Sequence, residues 1–119
     1  MENKREIGTV YEKTAAKYLE RKGFYILERN FCSRFGEIDI IAKDGGYLVF
    51  IEVKYRRDDS CGSPLEAVDG KKQRKICRTA SYFCLRQGYA DTTPCRFDVI
   101  AMEGDGSILH LENAFDYKR

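Results

Sequence analysis

With 119 residues, the chain is expected to form one domain around a single core and is too short for two. A composition of 43% hydrophobic, 13% aromatic and 34% charged residues excludes wholesale disorder, and no stretch approaches a membrane span. The net charge of +2 announces no nucleic-acid partner globally, so only the local placement of charge can make that case.

The amino terminus, Met1 to Glu6, lacks the apolar run and small-residue cleavage site of a secretory signal, which places the chain in the cytosol as an expectation. Hydrophobic periodicity predicts a first helix from about Glu6 to Lys22, closed by Gly23. Its inward face carries Gly8, Tyr11, Ala15, Ala16, Tyr18 and Leu19. At 100° per residue, Glu12 falls on that same side. A carboxylate there either faces the core or lies at its edge with the stem packed and the head in water.

The aromatic and β-branched run Phe24 to Phe31 predicts a first strand, with Arg29-Asn30 beginning a polar exit toward Cys32-Ser33-Arg34. Two strand-like segments follow, Glu37 to Ala42 and Leu48 to Lys54, joined by a tight turn. Alternation puts Glu52 and Lys54 on one face and Val49, Ile51 and Val53 on the other. With Gly45-Gly46 as the two central turn residues, Asp39 stands opposite Glu52, Glu37 opposite Lys54, and Ile41 opposite Phe50. A three-residue loop of Asp44-Gly45-Gly46 would instead shift the register by one and move Asp39 off the Glu52 face unless a bulge compensated.

Like charges across a sheet are destabilising and an isolated buried carboxylate is costlier, so the Asp39 and Glu52 pair calls for a cation. Hard oxygen ligands on a rigid sheet suit magnesium or manganese. For Lys54 the plain structural reading is an ion pair with Glu37.

The stretch Tyr55 to Gly62 reads as a mobile basic loop. Ser63-Pro64-Leu65-Glu66 is a helix-start signal, and a second cap at Asp69 begins a longer helix. That helix turns Ile76, Cys77, Ala80, Phe83 and Cys84 inward, carries Gln73 on the same side one turn earlier, and stops at Gln87-Gly88. Two last strands, Arg96 to Met102 and Ser107 to Leu111, and a short polar tail complete the chain. Five cysteines, at 32, 61, 77, 84 and 95, with one histidine and no Cys-x-x-Cys pair, read as free thiols and not as a zinc set.

The ordered set Gly36-Glu37-Ile38-Asp39, Phe50 to Lys54, Glu66-Ala67-Val68, Lys72-Gln73-Arg74 and Arg96 to Ile100 resembles the YraN-like family of small bacterial proteins. That family is similar to a branch of the PD-(D/E)xK nuclease superfamily, nearest the archaeal Holliday junction resolvases. The resemblance implies an α/β, restriction-endonuclease-like, three-layer core: a mixed sheet of five strands flanked by helices in the order α-β-β-β-α-β-β. By the same resemblance Glu12, Asp39 and Glu52 would be metal ligands for Mg2+ or Mn2+. Lys54 would be the catalytic lysine, and Gln73 a polar residue that serves the site from the helix after the hairpin. Ile38 stands where the superfamily motif has Pro, a small departure because the metal needs the Asp.

Substrate would have to be drawn to an acidic site by nearby cations. Arg56 and Arg57 follow the catalytic strand, Lys71, Lys72, Arg74, Lys75 and Arg78 crowd the start of the long helix, and Arg34 precedes the hairpin. The expectation is a metal-dependent endonuclease hydrolysing phosphodiester bonds in DNA, with branched DNA of repair or recombination as the candidate substrate. A homodimer is one way to cut two strands. The alternative is a non-catalytic nucleic-acid-binding or adaptor protein that keeps the fold.

Overall fold

The computed structural model describes residues 4–57 and 62–118, without the side chains of 4–9 and 67. The element order is α1 (Lys4–Arg21), β1 (Tyr25–Ser33), β2 (Gly36–Asp44), β3 (Tyr47–Arg56), a 3-10 turn (Pro64–Ala67), α2 (Gly70–Gln87), β4 (Cys95–Glu103) and β5 (Ile108–Phe115). The five strands form one mixed sheet in sequential order, β1-β2-β3-β4-β5. All neighbours are antiparallel except β3 and β4, which run parallel because α2 crosses between them.

The helices cover opposite faces, giving three layers. Ala15, Ala16 and Leu19 of α1 pack with Ile40, Val49, Ile51 and Ile100. On the other face Ile76, Cys77, Ala80 and Phe83 of α2 pack with Ile41, Phe50, Phe97 and Val99. Strand alternation explains the division, since neighbours such as Phe50 and Ile51 feed different cores.

Local chemistry sets the boundaries. Asp69 caps α2 by accepting a hydrogen bond from Lys72 N–H at 2.9 Å, and Gly88 ends it at φ 79°, where a side chain would be strained. Ser63 caps the 3-10 turn through Leu65 N–H, so the Ser63-Pro64 signal starts only this short element. The β2–β3 hairpin pairs Asp44 with Tyr47 around Gly45-Gly46, and Ile41 faces Phe50. The two-residue turn is therefore the one adopted, with Gly45 at φ 59°.

Several predicted limits move. The polar exit placed at Arg29-Asn30 is still strand, because β1 continues to Ser33 and turns at Arg34-Phe35 against Gly36. Tyr55 and Arg56 belong to β3, not to a loop, since their partners Met102 and Glu103 on β4 continue the parallel ladder. Asp58 to Cys61 of that expected loop lie outside the described residues, as do Met1 to Asn3. The fifth strand takes in residues to Phe115 that read as tail. No described helix is long and apolar enough to cross a membrane.

Candidate functional site

The site lies where β2 parts from β3. Their ladder runs from Asp44–Tyr47 to Ile40–Ile51, and at the next step the Asp39 carboxylate accepts the Val53 N–H at 2.8 Å. On the other side of β2, Asn30 of β1 stands in register with Asp39 between the Arg29–Ile40 and Phe31–Ile38 pairs. Asn30 has φ 54°, a left-handed conformation that Asn tolerates better than most residues. Beside it β2 changes face, for Ile40 packs in the core under α1 whereas Ile38 packs in the core under α2. Asp39 sits at this switch.

Glu52, buried on β3, accepts a hydrogen bond from Lys72 of α2 at 2.7 Å and lies 3.7 Å from Lys54 Nζ. Glu12 approaches from α1, also buried, with Arg29 Nε at 3.5 Å from its Oε1. That separation gives an ion pair but no hydrogen bond, so among the described residues Oε1 is a buried acceptor without a donor. The sequence-predicted carboxylates thus form one electrostatic group, in which Glu12, Glu37 and Glu52 all act on Asp39.

The charge states follow. Burial, then the Glu52 charge, pushes the Asp39 carboxyl up to about 7, with the Val53 N–H opposing. Burial also raises Glu12, against the pull of Arg29. Lys54 is lowered, first by burial and then by the neighbouring Lys72. For Lys72 burial acts downward, but its hydrogen bonds to Glu52 and Lys54 outweigh it and the net shift is up. The distances explain the division, because the ammonium 2.7 Å from Glu52 keeps its proton and the amine 3.7 Å away yields first.

Other predicted residues fall differently. Lys54 pairs with Glu52, not with the exposed Glu37 as the plain reading of the register suggested, because Glu52 is the buried and stronger partner. Gln73 donates from Nε2 to Val68 O at 2.8 Å and braces the start of α2, so its amide is committed to the backbone. Arg56 is not a free phosphate ligand: its guanidinium is nearly buried and is spent on Glu103 and Gly62 O. Lys71, Lys72 and Lys75 line a cleft of about 350 Å³ with Gly36, Glu37 and Asp69. Arg57 and Arg74 are exposed and are not among its lining residues, and Arg34 is exposed in the β1–β2 turn with its guanidinium 5.0 Å from the Phe35 ring centroid.

Sequence reasoning assigned Lys72 to substrate and overlooked it as the partner of Glu52; its place one turn after the Asp69 cap was the available signal. Arg29, read as part of an exit, is the Glu12 partner. Asp98 with Arg96 and His110 was not singled out at all.

The donor set tests the expected cation. Three acidic side chains supply only hard oxygens, two of them raised in pKa, and one buried oxygen lacks a donor among the described residues, a donor chemistry that fits a magnesium-like ion. As they stand, no three His, Cys, Asp or Glu side chains among the described residues are grouped closely enough to hold a metal. Lys72 and Lys54 occupy Glu52, so a dication would have to displace an ammonium from that carboxylate.

Comparison with known proteins matches residues 11–102 to UPF0102, described as an uncharacterised protein family. A UPF0102 protein of Lachnoclostridium phytofermentans is 48% identical over 114 residues, covering 96% of each chain. One from Thermodesulfovibrio yellowstonii is 50% identical over 112 residues, 92% of this chain and 96% of its own. One from Vibrio parahaemolyticus is 42% identical over 113 residues, 94% of this chain and 93% of its own. The matched residues include every member of the carboxylate and lysine group, and with likeness along nearly its whole length the chain belongs to the UPF0102 family.

Proposed function

We propose that the protein is a metal-dependent endonuclease that hydrolyses phosphodiester bonds in DNA, branched DNA of repair or recombination among them. The observation that carries this reading is the convergence of Asp39, Glu52 and Lys54 at the parting of β2 and β3, with Asp39 pushed up to about 7. A carboxyl in that state is about half protonated near neutrality and gains from trading its proton for a cation. The resemblance of the Gly36-to-Asp39 and Phe50-to-Lys54 segments to the PD-(D/E)xK nucleases supports the same assignment.

Asp39 and Glu52 would hold the ion, with Glu12 as a third ligand from α1. When bound, magnesium supplies charge neutralisation at the phosphate and a more acidic water. The remaining work belongs to the chain. Lys54, whose proton is weakened by burial and by Lys72, would orient or activate the attacking water and counter charge on the phosphate from Nζ. Lys72, if released from Glu52, would present its ammonium to the phosphate oxygens. Lys71 and Lys75 beside the cleft hold the nucleic-acid backbone without reading bases.

A second reading, a nucleic-acid-binding adaptor, draws on one observation: Lys72 and Lys54 already neutralise Glu52, so that carboxylate is paired internally without a metal. Labelled junctions, flaps and single strands incubated with magnesium or manganese separate the two. The nuclease reading expects cleavage that disappears in Asp39→Asn, Glu52→Gln and Lys54→Ala while binding persists. Binding with no cleavage under either metal, unchanged by those substitutions, establishes the adaptor.

A further inference from the structure

The 18 residues of α2 include six cations, Lys71, Lys72, Arg74, Lys75, Arg78 and Arg86, and no acidic residue. α1, of the same length, sets Glu6, Glu12 and Glu20 among its lysines and arginines. A helix face that needs only hydration is served by mixed signs, which also pair along the helix. On α2 the arrangement works against stability twice. Four of the cations fall in the first six residues, at the end where the helix dipole disfavours positive charge. In addition Lys71 and Lys75, Arg74 and Arg78, and Lys75 and Arg78 stand one turn apart as like charges. Glu52 relieves Lys72, but among the described residues no carboxylate lies within ion-pair distance of the other five.

The cations are also aligned. At 100° per residue Lys71, Lys75, Arg78, Tyr82 and Arg86 fall within an arc of about 80°. That arc points away from Ile76, Cys77, Ala80 and Phe83, which α2 buries against the sheet. Lys71, Lys75, Arg78 and Arg86 are exposed, Tyr82 is half-buried, and Arg86 Nη1 donates to the Tyr82 hydroxyl at 3.4 Å. The row starts at the cleft that Lys71, Lys72 and Lys75 line, and reaches Arg86 about 22 Å further on at 1.5 Å per residue. The β1–β2 turn is seated against the same helix, for a side chain at Gly36 would meet Thr79 Oγ1 at 3.4 Å and Lys75 Cβ at 3.7 Å. Arg34, exposed in that turn, therefore stands beside the row. Phosphates along one DNA strand follow at about 3.4 Å, so the row matches the backbone of about six or seven base pairs.

We propose that this face of α2 holds one arm of a DNA duplex, its backbone running from the carboxylate cleft to Arg86. The inference rests on the reading of that cleft as the place where nucleic acid is held, and it adds the direction and length of the contact. Charge complementarity selects the occupant. Exposed ammonium and guanidinium groups in a straight row suit evenly spaced phosphates, and contacts of that kind position a duplex without reading its bases. Repulsion that the free helix carries turns into attraction once phosphates lie between its cations.

The test uses the full chain and a duplex of about 16 base pairs in EDTA, with affinity read by fluorescence anisotropy between about 50 and 200 mM salt. For the unaltered protein, log K should fall against log salt with a slope of about −4, one phosphate for each exposed cation of the row. Arg78→Ala combined with Arg86→Ala should weaken binding at least about tenfold and reduce the slope by about 2. Lys13→Ala combined with Lys17→Ala removes the same charge from the exposed side of α1, across the sheet, and should change neither quantity. Equal losses in the two double variants, or an unaltered slope in the Arg78 and Arg86 pair, overturn the proposal. Displacement of the duplex by polyglutamate at equal charge assigns the face to an acidic protein and overturns it as well. The slope of the unaltered protein needs no substitution, and a value near zero rejects the track outright. Cleavage under magnesium is scored separately. Cutting by a protein whose binding ignores Arg78 and Arg86 rejects the track and keeps the nuclease, whereas loss of slope without any cutting rejects the nuclease and keeps the track.

Discussion

Asp98 of β4 and Asp39 of β2 are both carboxylates set within the sheet, yet the fold surrounds them differently. Asp98, with a fully buried side chain, accepts four hydrogen bonds: two from the Arg96 guanidinium, one from His110 Nε2 and one from Asn113 N–H, all between 2.8 and 3.0 Å. Lys22 Nζ lies 3.0 Å from His110 Nδ1, and an ammonium can only donate, so the ring proton is on Nε2 and points at Asp98. Burial would raise the Asp98 carboxyl, but these donors outweigh it and hold the pKa below its ordinary value. Asp39 is less deeply buried and is nevertheless raised, because among the described residues its one hydrogen bond comes from Val53 N–H and its neighbours are carboxylates. Burial alone does not decide a pKa; the number and sign of the groups around the charge do. A satisfied carboxylate is part of the framework, and an unsatisfied one is available for chemistry.

Opposite signs are expected when the two are neutralised. The largest effect should come from Asp98→Ala, which strands Arg96 and His110 and should cost about 3–5 kcal/mol in a urea melt. If it costs less than a kilocalorie, the framework role is wrong.

Asp39→Asn should stabilise the protein at pH 8, on the order of 3 kcal/mol. The folded pKa of Asp39, about 7, stands above its ordinary value of 3.8, so the folded state binds the extra proton between those values. The stability this contributes is complete below about pH 4 and is lost as pH rises through 7. Wild type should therefore lose stability over that range, and Asp39→Asn should flatten the curve. Magnesium at ten times its Kd should return about 1.4 kcal/mol to wild type at pH 8 and nothing to Asp39→Asn. Identical pH profiles for the two proteins would remove Asp39 from the special class.

Lys72→Ala should change stability by about 1 kcal/mol or less, since the Lys72 side chain is partly exposed and Lys54 remains beside the buried Glu52. It should raise the Lys54 pKa, because the adjacent ammonium is one of the influences holding it down. NMR titration of the Lys54 side chain reads this directly, and an unmoved or falling pKa contradicts the assignment. The smallest effect belongs to Lys75→Ala, with stability within about 0.5 kcal/mol and the salt slope of DNA binding reduced by about 1. An unchanged slope places the nucleic acid elsewhere.

Much of the hairpin was readable because its signals are local. Gly45-Gly46 selected the turn, the turn fixed the Ile41–Phe50 pairing, and period-two alternation put Glu52 and Lys54 on one face. The inward placement of Glu12 also survived, since helical phase depends only on spacing. Arg56 shows the limit. Its sequence neighbourhood is basic and open, but Glu103 arrives beside it from β4, separated by 47 residues, and removes it from the list of free cations.

The amino-acid sequence by itself determined the elements, their order, the turn of the central hairpin and its register as far as Ile40–Ile51, and the candidate carboxylates, because each depends on residues within a few positions of one another; the expected Asp39–Glu52 and Glu37–Lys54 pairs lie past the point where the ladder ends. Only the tertiary structure decided their charge states and partners. Lys72 reached Glu52 once α2 lay across β2, Arg29 met Glu12 once α1 lay on β1, and Asp39 was isolated once two strands parted. Coulombic and hydrogen-bond energies fall steeply with distance, and distances between remote segments exist only after the chain has folded.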